Sequence, residues 1–309
     1  MRQRASVFAL FLLVAIGAGS QWAQAANLTV NCDKKEKIHK AVKLLADSNP
    51  QGPNTVTVLG SCKENILIQS MDRLTLITKK GASITDRSNG SLAVVDIEDS
   101  HSVTLQGFTI NAGGAGVACG TASVCYLTGN TIQGGGLGVG MDGGSHAFLE
   151  SNVIQNSFRG AFVSDGSQMF SSNDVFQGNA DKGVIAIFGA YFEASNSSFL
   201  NNAVGIEAGG AGVHLIGGTI SGNGGNGMTL VGGASAAFQG PTITGNGGVG
   251  VHLEDGSFAG FLGANITGNL SGLDVDCAPQ FPITRFVDRT GGITNCVEPA
   301  SDSKLKAVE

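Results

Sequence analysis

Apolar and polar positions repeat every 21 to 23 residues between Asn130 and about Asp276. Each repeat contains alternating stretches such as Gly250 to Glu254, followed by a small-residue corner such as Asp255 to Ser257. Such units are too short for helix pairs, and this period is typical of solenoids built from short strands and turns. One apolar position aligns throughout, at Ile132, Ile154, Phe176, Phe199, Ile220, Ile243 and Ile266.

An asparagine closes each unit three positions after the aligned residue. Stacked coils lie roughly 4.8 Å apart, as parallel strands do, so these amides would hydrogen-bond along the stack as a ladder. A repeated turn position favours this structural interpretation over a catalytic one. The predicted ladder consists of Asn179, Asn202, Asn223, Asn246 and Asn269.

The residues before the repeats predict a helix and irregular first coils. Asp33 and Glu36 fit a capping box, and Ile38, Val42 and Leu45 share one face, which predicts an amphipathic helix over residues 34 to 47. The lysines of the other face are expected to be solvated, or else to attract an anionic surface. Alternating β patterns begin at Thr55. The helix is placed to cover the open edge of the first coil.

The order of a short helix, β segments over residues 55 to 68 and 74 to 85, and then 22-residue Gly/Asn coils resembles the right-handed parallel β-helix of the pectin-lyase-like superfamily. The resemblance implies an all-β fold with a short N-terminal capping helix. That superfamily hosts lyases, hydrolases, epimerases, tailspikes and adhesins, so the fold does not specify a function. The predicted divisions are a signal peptide over 1–25, an N-terminal cap over 26–54, the β-helix over 55–276, and a C-terminal cap and polar tail over 277–309.

The N-terminus predicts export. Basic Met1 to Arg4, apolar Ala5 to Gly17 and the small residues before Ala25 form a secretory signal peptide, cleaved near Ala25. The protein is therefore expected to be secreted or periplasmic, with no transmembrane segment. The net charge of −6 becomes two units more negative when Arg2 and Arg4 are removed, which argues against a nucleic-acid partner.

The cysteine count fits an oxidising compartment. Six cysteines allow fifteen pairings, and a zinc site is the rival interpretation, although no CxxC pair is present. Two cysteines precede the repeats, two lie at their start and two follow them. This placement favours the pairs Cys32–Cys62, Cys119–Cys125 and Cys277–Cys296.

Stacking the units also predicts one outward-facing column, and enzymes of the resembled superfamily usually hold substrate on such an exposed sheet. If Val139 and its equivalents point inward, the column runs from Gly140 through Phe162 and Ile185 to polar residues. Acids beside a histidine can act as general acid and base, or can bind a cation. The candidate catalytic residues are Glu207, His252, Glu254, Asp274 and Asp276, with Thr229 between the first two.

The apolar part of the column has two interpretations. Phe162, Ile185 and Ile187 would form an exposed patch of the kind that marks a protein interface. A register shifted by one residue would instead bury all three.

Three features weigh against an enzyme. Between Gly107 and Thr284 only Arg159 and Lys182 are basic, so a lyase would lack a cation to stabilise its carboxylate-adjacent anion. The catalytic signatures of the resembled superfamily are missing. The sole tryptophan lies in the signal peptide, and Tyr126 and Tyr191 are the only tyrosines, which argues against a glycan substrate.

We therefore expect a non-catalytic interaction or structural module at or outside the cell surface, with a protein or glycan partner and no cofactor. The alternative is a polysaccharide lyase or glycoside hydrolase acting on an extracellular glycan. Calcium is expected only under the lyase alternative.

Overall fold

The computed structural model describes residues 25–278, 285–287 and 293–296. The described chain winds into a solenoid of about ten turns of about 22 residues, and three parallel sheets run along it. This is the predicted β-helix. Each full coil contributes one strand to each sheet, so residues one turn apart in sequence are neighbours in space.

Strand bounds are as follows over the described residues. The ten strands of sheet one are Ile66–Gln69, Ala93–Glu98, Ala115–Gly120, Leu137–Met141, Arg159–Val163, Lys182–Ile187, Val204–Gly209, Met228–Val231, Val251–Leu253 and Val275–Cys277. The twelve strands of sheet two are Ala26–Asn31, Asn54–Leu59, Leu74–Thr78, Val103–Gln106, Val124–Thr128, His146–Glu150, Gln168–Ser172, Tyr191–Ser195, Gly212–Ile216, Ser235–Gln239, Phe258–Leu262 and Arg285–Val287. The ten strands of sheet three are Ser61–Lys63, Ser83–Thr85, Thr109–Asn111, Thr131–Gln133, Val153–Gln155, Val175–Gln177, Ser198–Leu200, Thr219–Ser221, Thr242–Thr244 and Asn265–Thr267.

A column of glycines lies where the chain enters sheet one. A Cβ added at Gly227 would stand 2.6 Å from the Gly250 carbonyl oxygen of the next coil and 2.8 Å from the Asn246 amide nitrogen. No side chain fits there, because backbone atoms of the next coil cannot move aside. The repeated glycine therefore reflects close approach of successive coils.

The predicted asparagine ladder is present and fully buried from Asn179 to Asn246. From Asn202 onward, each side-chain oxygen accepts from the backbone N–H and the amide group of the preceding asparagine, with amide–oxygen distances of 2.8–3.1 Å. Asp274 accepts from Asn269 at the end of this ladder. The final position only has to accept, so a carboxylate satisfies it.

A second ladder, which the repeat alignment did not predict, follows the turn between sheets two and three. Asn130 donates to Asn152, and Asn152 donates to Asp174 at 2.9 Å. Asp174 also accepts from the Ser171 hydroxyl at 2.7 Å. Burial raises the pKa of Asp174, while these hydrogen bonds oppose the shift. Both ladders thus end in a buried aspartate at their C-terminal end.

The predicted helix starts later than its capping box indicates. A 3-10 helix spans Cys32–Lys34, and the α-helix spans Ile38–Ser48. The cap comes from Glu64, whose carboxylate accepts from the backbone N–H groups of Ile38 and His39 at 3.1 Å. A local pattern cannot show a cap supplied from the next coil. The predicted apolar face is buried, and it packs on the first strands of sheets one and two.

The stack also starts earlier than predicted. Ala26–Asn31 already forms a strand, and it pairs in parallel with Asn54–Leu59. The segment assigned to the N-terminal cap therefore contains both the covering helix and the first strand of sheet two.

Three disulfide bonds join the cysteines in the predicted pairs. Their Cα–Cα distances are 5.1, 6.5 and 5.0 Å for Cys32–Cys62, Cys119–Cys125 and Cys277–Cys296. This number of disulfides is typical of extracytoplasmic proteins, and it indicates that this chain is one.

Two predicted segments fall largely outside the described residues: the signal peptide before Ala25, and most of the cap and tail after Ala278. Within the described ranges, no helix is both long enough and apolar enough to cross a bilayer.

Candidate functional site

The outer column of sheet one follows the predicted register for six coils and departs from it in the seventh. Glu207 pairs with Thr229, and Thr229 pairs with His252. The next member is Asp276, not Asp274. The last coil is two residues longer than predicted, because Val251 pairs with Val275 rather than with Leu273. The prediction for Asp274 was wrong: it is buried and accepts from Asn269 as the end of the ladder.

His252 lies between two carboxylates. Its Nδ1 is 2.7 Å from the Asp276 Oδ2 atom, and its Nε2 is 3.5 Å from the Glu254 Oε2 atom. Only a doubly protonated ring can donate to both. Asn295 donates to the other Asp276 oxygen at 2.7 Å, and the Cys277–Cys296 disulfide holds the segment that carries Asn295. Three of the five predicted catalytic residues therefore meet in one half-buried cluster.

Glu207 belongs to a different group, two coils from His252 and so about 10 Å away along the axis. Lys182 contacts the Asp181 carboxylate at 2.5 Å and Glu207 at 3.4 Å, while Arg159 donates to Asp181 at 2.8 Å. Burial opposes ionisation of Asp181, yet hydrogen bonds from Lys182 and Arg159 lower its pKa. Burial also opposes the charge of Lys182, and contacts with Asp181 and Glu207 raise its pKa. Both basic side chains of this region are thus paired with acids.

The apolar part of the column faces outward, as the first of the two interpretations required. Phe162 pairs with Ile185, and Ile185 pairs with Glu207. Ile185 is nevertheless only 6% exposed, whereas Phe162 and Ile187 are half-buried. Arg159 lies over the Phe162 ring at 5.8 Å from its centroid. The exposed apolar area here is therefore small.

An acidic group upstream on the same face was missed because the predicted column began at Gly140. Asp96 occupies the column position two coils before Gly140. Burial, together with the charges of Glu98 and Asp142, raises the pKa of Asp96. Burial, together with the charges of Glu98 and Asp165, also raises the pKa of Asp142. Continuing the alternation upstream by two repeats would have found this group.

Metal binding has little support within the described part of the chain. One group of three His, Cys, Asp or Glu residues there has its ligand atoms within 4.8 Å of one another: Cys32, Cys62 and Glu64. The two cysteines form a disulfide, and Glu64 caps the helix. These atoms are already engaged, so the geometry does not favour a metal centre there.

The outer face of sheet two carries an aromatic column that the repeat alignment did not predict. Tyr126, Phe148 and Phe170 stack on consecutive coils, with centroids 5.1 Å apart in both pairs. Their spacing of 22 residues was visible in the sequence, but at another phase of the repeat. On the next two coils, Glu193 accepts from the Tyr191 hydroxyl at 2.9 Å and lies 3.3 Å from the His214 Nδ1 atom.

Two hollows lie over this aromatic face. One, of about 280 Å³, is lined by residues that include Tyr126, Phe148, Phe170 and Glu193. The other, of about 470 Å³, lies beside it along the axis and has Tyr191 in its lining. The sequence-predicted catalytic residues line neither hollow.

Comparisons with known proteins agree with this architecture. Residues 93–187 and 115–270 match a family model described as a right handed beta helix region. No curated protein matches the sequence at a significant level.

Among solved structures, pectate lyase Pel9A is similar with a TM-score of 0.59 at 10% identity, over 79% of this chain and 77% of its own. An alginate lyase from Paenibacillus sp. str. FPU-7 is similar with a TM-score of 0.50 at 13% identity, over 79% of this chain and 97% of its own. The A-module of the Azotobacter vinelandii mannuronan C-5 epimerase AlgE4 has a TM-score of 0.48 at 16% identity, over 81% of each chain. At identities this low, the matches to the pectate lyase and the alginate lyase indicate a shared fold and nothing about activity.

Proposed function

The chain belongs to the right-handed β-helix family, and we propose that it acts as a non-catalytic interaction module at or outside the cell surface. The observation that carries this proposal is the pairing of charged groups on sheet one. Lys182 and Arg159, the basic groups available to stabilise an anionic intermediate, are held by Asp181 and Glu207. An acid paired in this way is a poor general base, and a paired cation stabilises new charge poorly.

The location at or outside the cell surface rests on the expected signal peptide near Ala25, together with the disulfide bonds. Processing of the N-terminus is checked by sequencing the mature protein from the culture medium and the periplasm. A mature chain beginning near Ala26 is expected. An unprocessed N-terminus on protein recovered only from the cytoplasm would contradict this location.

The test of the non-catalytic role is a broad panel of neutral and acidic polysaccharides, incubated with the protein with and without added calcium. No new reducing ends and no unsaturated-uronate absorbance are expected, while pull-down or glycan-array binding is expected. Robust depolymerisation of any polysaccharide would overturn the proposal.

A polysaccharide lyase or glycoside hydrolase is the second candidate function. The observation that favours it is the group formed by His252, Glu254 and Asp276, which we call the His252 cluster. Asp276 orients the ring through Nδ1, as a carboxylate does for a histidine base, and Glu254 lies at Nε2. If the panel reveals activity, His252→Ala and Glu254→Gln are expected to abolish it. Activity that survives His252→Ala combined with Glu207→Ala would exclude this site.

A further inference from the structure

The two hollows on sheet two follow one another along the axis of the solenoid. They adjoin at the strand Tyr191–Ser195, since Glu193 lines the first hollow and Tyr191 lines the second. We refer to both together as the sheet-two furrow. Residues of seven consecutive coils, from Tyr126 to Phe258, line it. Its shape suits an extended ligand that lies along the stack.

Aromatic rings border the second hollow, and small residues form its floor. The Tyr191 ring leans over Gly212, where an added Cβ would stand 3.1 Å from the ring Cδ2 atom. The Phe258 ring likewise lies near Gly260, with 3.6 Å between its Cε1 atom and an added Cβ. Gly212 and Ser235 hold the register positions between the two rings, and the exposed Ala237 lies two residues along the strand from Ser235. The glycines leave room for rings that lie against the sheet, and the short side chains of Ser235 and Ala237 leave the space beside the rings open.

The polar groups of the furrow are mainly uncharged donors and acceptors. Ser235 and Gln239 line the second hollow. Burial, together with the hydrogen bond to Glu193, raises the pKa of Tyr191 to about 12, so its hydroxyl stays protonated at neutral pH. Hydroxyl and amide groups beside aromatic rings match the alternating hydroxylated edges and apolar faces of a sugar ring.

The charges of the lining residues indicate which class of glycan the furrow can bind. The titratable residues that line the two hollows include the carboxylates Glu150 and Glu193 and the imidazole of His214, which lies 3.3 Å from Glu193, and the lining contains neither lysine nor arginine. An anionic polyuronide would meet like charge here, on a chain whose net charge is already −6. The furrow therefore favours an uncharged ligand.

The arrangement of backbone hydrogen bonds argues against an extended peptide. Peptides usually bind β structures by adding a strand to an exposed sheet edge. The strands that form the furrow each pair with the coils on both sides, as Tyr191–Ser195 pairs with Gln168–Ser172 and with Gly212–Ile216. A ligand on this face is held by side chains alone. The coil spacing of about 4.8 Å is close to the rise of one residue in an extended glycan, so the side-chain pattern can repeat along such a chain.

We propose that the sheet-two furrow binds an extended, uncharged polysaccharide, with the Tyr191 and Phe258 rings as its apolar contacts. This inference rests on the proposed non-catalytic function, because it identifies the ligand class of that interaction module. The site lies on a different face of the stack from the His252 cluster.

Affinity electrophoresis of the full-length protein tests the proposal. The gels contain a soluble neutral glucan, a neutral xylan, polygalacturonate or alginate. Tyr191→Ala and Phe258→Ala remove the rings, and Ala237→Arg fills the hollow at an exposed position without removing a packed side chain. Phe158→Ala is the matched control, because Phe158 is 52% exposed and lies outside both hollows.

Retardation by at least one neutral polysaccharide is expected. Each furrow variant is expected to bind at least tenfold more weakly, and Phe158→Ala is expected to bind like the parent. Retardation by the acidic polysaccharides alone, or equal retardation of all variants, would overturn the proposal.

Failure of this inference can be told apart from failure of the proposed function. If no polysaccharide retards the protein but a protein partner is captured from the cell surface, the furrow inference is wrong and the non-catalytic role stands. If a polysaccharide is shortened during the experiment, the non-catalytic role is wrong, and the furrow inference falls with it.

Discussion

Sheets one and two are formed by the same coils, yet their outer faces present different kinds of side chain to solvent. From Arg159 onward, sheet one pairs its acids with basic groups, as with Glu207 and Lys182. Sheet two places aromatic rings on successive coils and leaves hollows beside them, as with Tyr126 and Phe148. Paired charges leave few groups free for a ligand, whereas unfilled apolar hollows leave surface that a ligand can still cover. In this β-helix, the face rich in titratable residues is therefore not the more promising binding face.

The largest effect is expected where the coils themselves meet, because both faces depend on their spacing. Gly227→Ala would place a Cβ 2.6 Å from the Gly250 carbonyl oxygen and 2.9 Å from the Ile243 Cγ2 atom. The backbone would have to shift, at a cost of about 3 kcal/mol in the free energy of unfolding. Urea denaturation followed by circular dichroism measures this loss.

Gly140→Ala is the matched control in the same sheet. Its added Cβ would meet only the Leu137 Cδ1 atom, at 3.3 Å. On sheet two, Gly212→Ala would press on the movable Tyr191 ring and cost less than Gly227→Ala. Equal losses at Gly227 and Gly140 would mean that close approach of the coils does not explain the glycine column.

A smaller loss of stability is expected from breaking the charged network of sheet one, which consists of Arg159, Asp181, Lys182 and Glu207. Lys182→Met leaves Glu207 without its cation and Asp181 with Arg159 alone. The expected loss is about 2 kcal/mol, between that of an exposed pair and that of a fully buried one. Lys43→Met is the control, since the Lys43–Asp47 pair is highly exposed and should contribute little.

The pH dependence of this loss follows from the two pKa shifts. The pKa of Asp181 is lowered in the folded state, so its contribution is present above the ordinary aspartate pKa and is lost as pH falls through the lowered value. The pKa of Lys182 is raised, so its contribution is present below the ordinary lysine pKa and is lost as pH rises through the raised value. Parent and Lys182→Met should differ most between about pH 4 and pH 10. A difference that is the same at pH 2 and pH 7 would contradict this assignment.

The repeat predicted the stack but not every feature of its faces. Alignment on one apolar position was sufficient for the ladder from Asn179 to Asn269 and for the column as far as His252, because a constant period converts sequence spacing into spatial register. It failed at Asp274, where the last coil is two residues longer and a buried acid ends the ladder. The Glu64 cap and the pairing of Lys182 with Glu207 depend on contacts between coils, which local patterns do not record.

The aromatic column of sheet two should contribute less to stability than the charged network. Phe148→Ser removes a ring that stacks on Tyr126 and on Phe170, each at 5.1 Å between centroids. Because Phe148 remains 38% exposed, the expected loss is about 1 kcal/mol by thermal or urea unfolding. Leu262→Ser is the control on the same face, since Leu262 is 64% exposed and outside the column. A loss above about 3 kcal/mol would show that these rings are needed for the fold rather than available for binding.

The smallest effect is expected at the His252 cluster. His252→Gln removes the contact between the ring Nδ1 and Asp276, but Asp276 keeps its hydrogen bond from Asn295. No buried charge is left unpaired, so the loss should be under about 1 kcal/mol and smaller still at high salt. Chemical denaturation at two salt concentrations measures it, with Asn295→Ala as the companion variant. A loss above about 2 kcal/mol would mean that this cluster supports the last coil. Sheet one would then have a structural reason for its acids and histidine, independent of any catalysis.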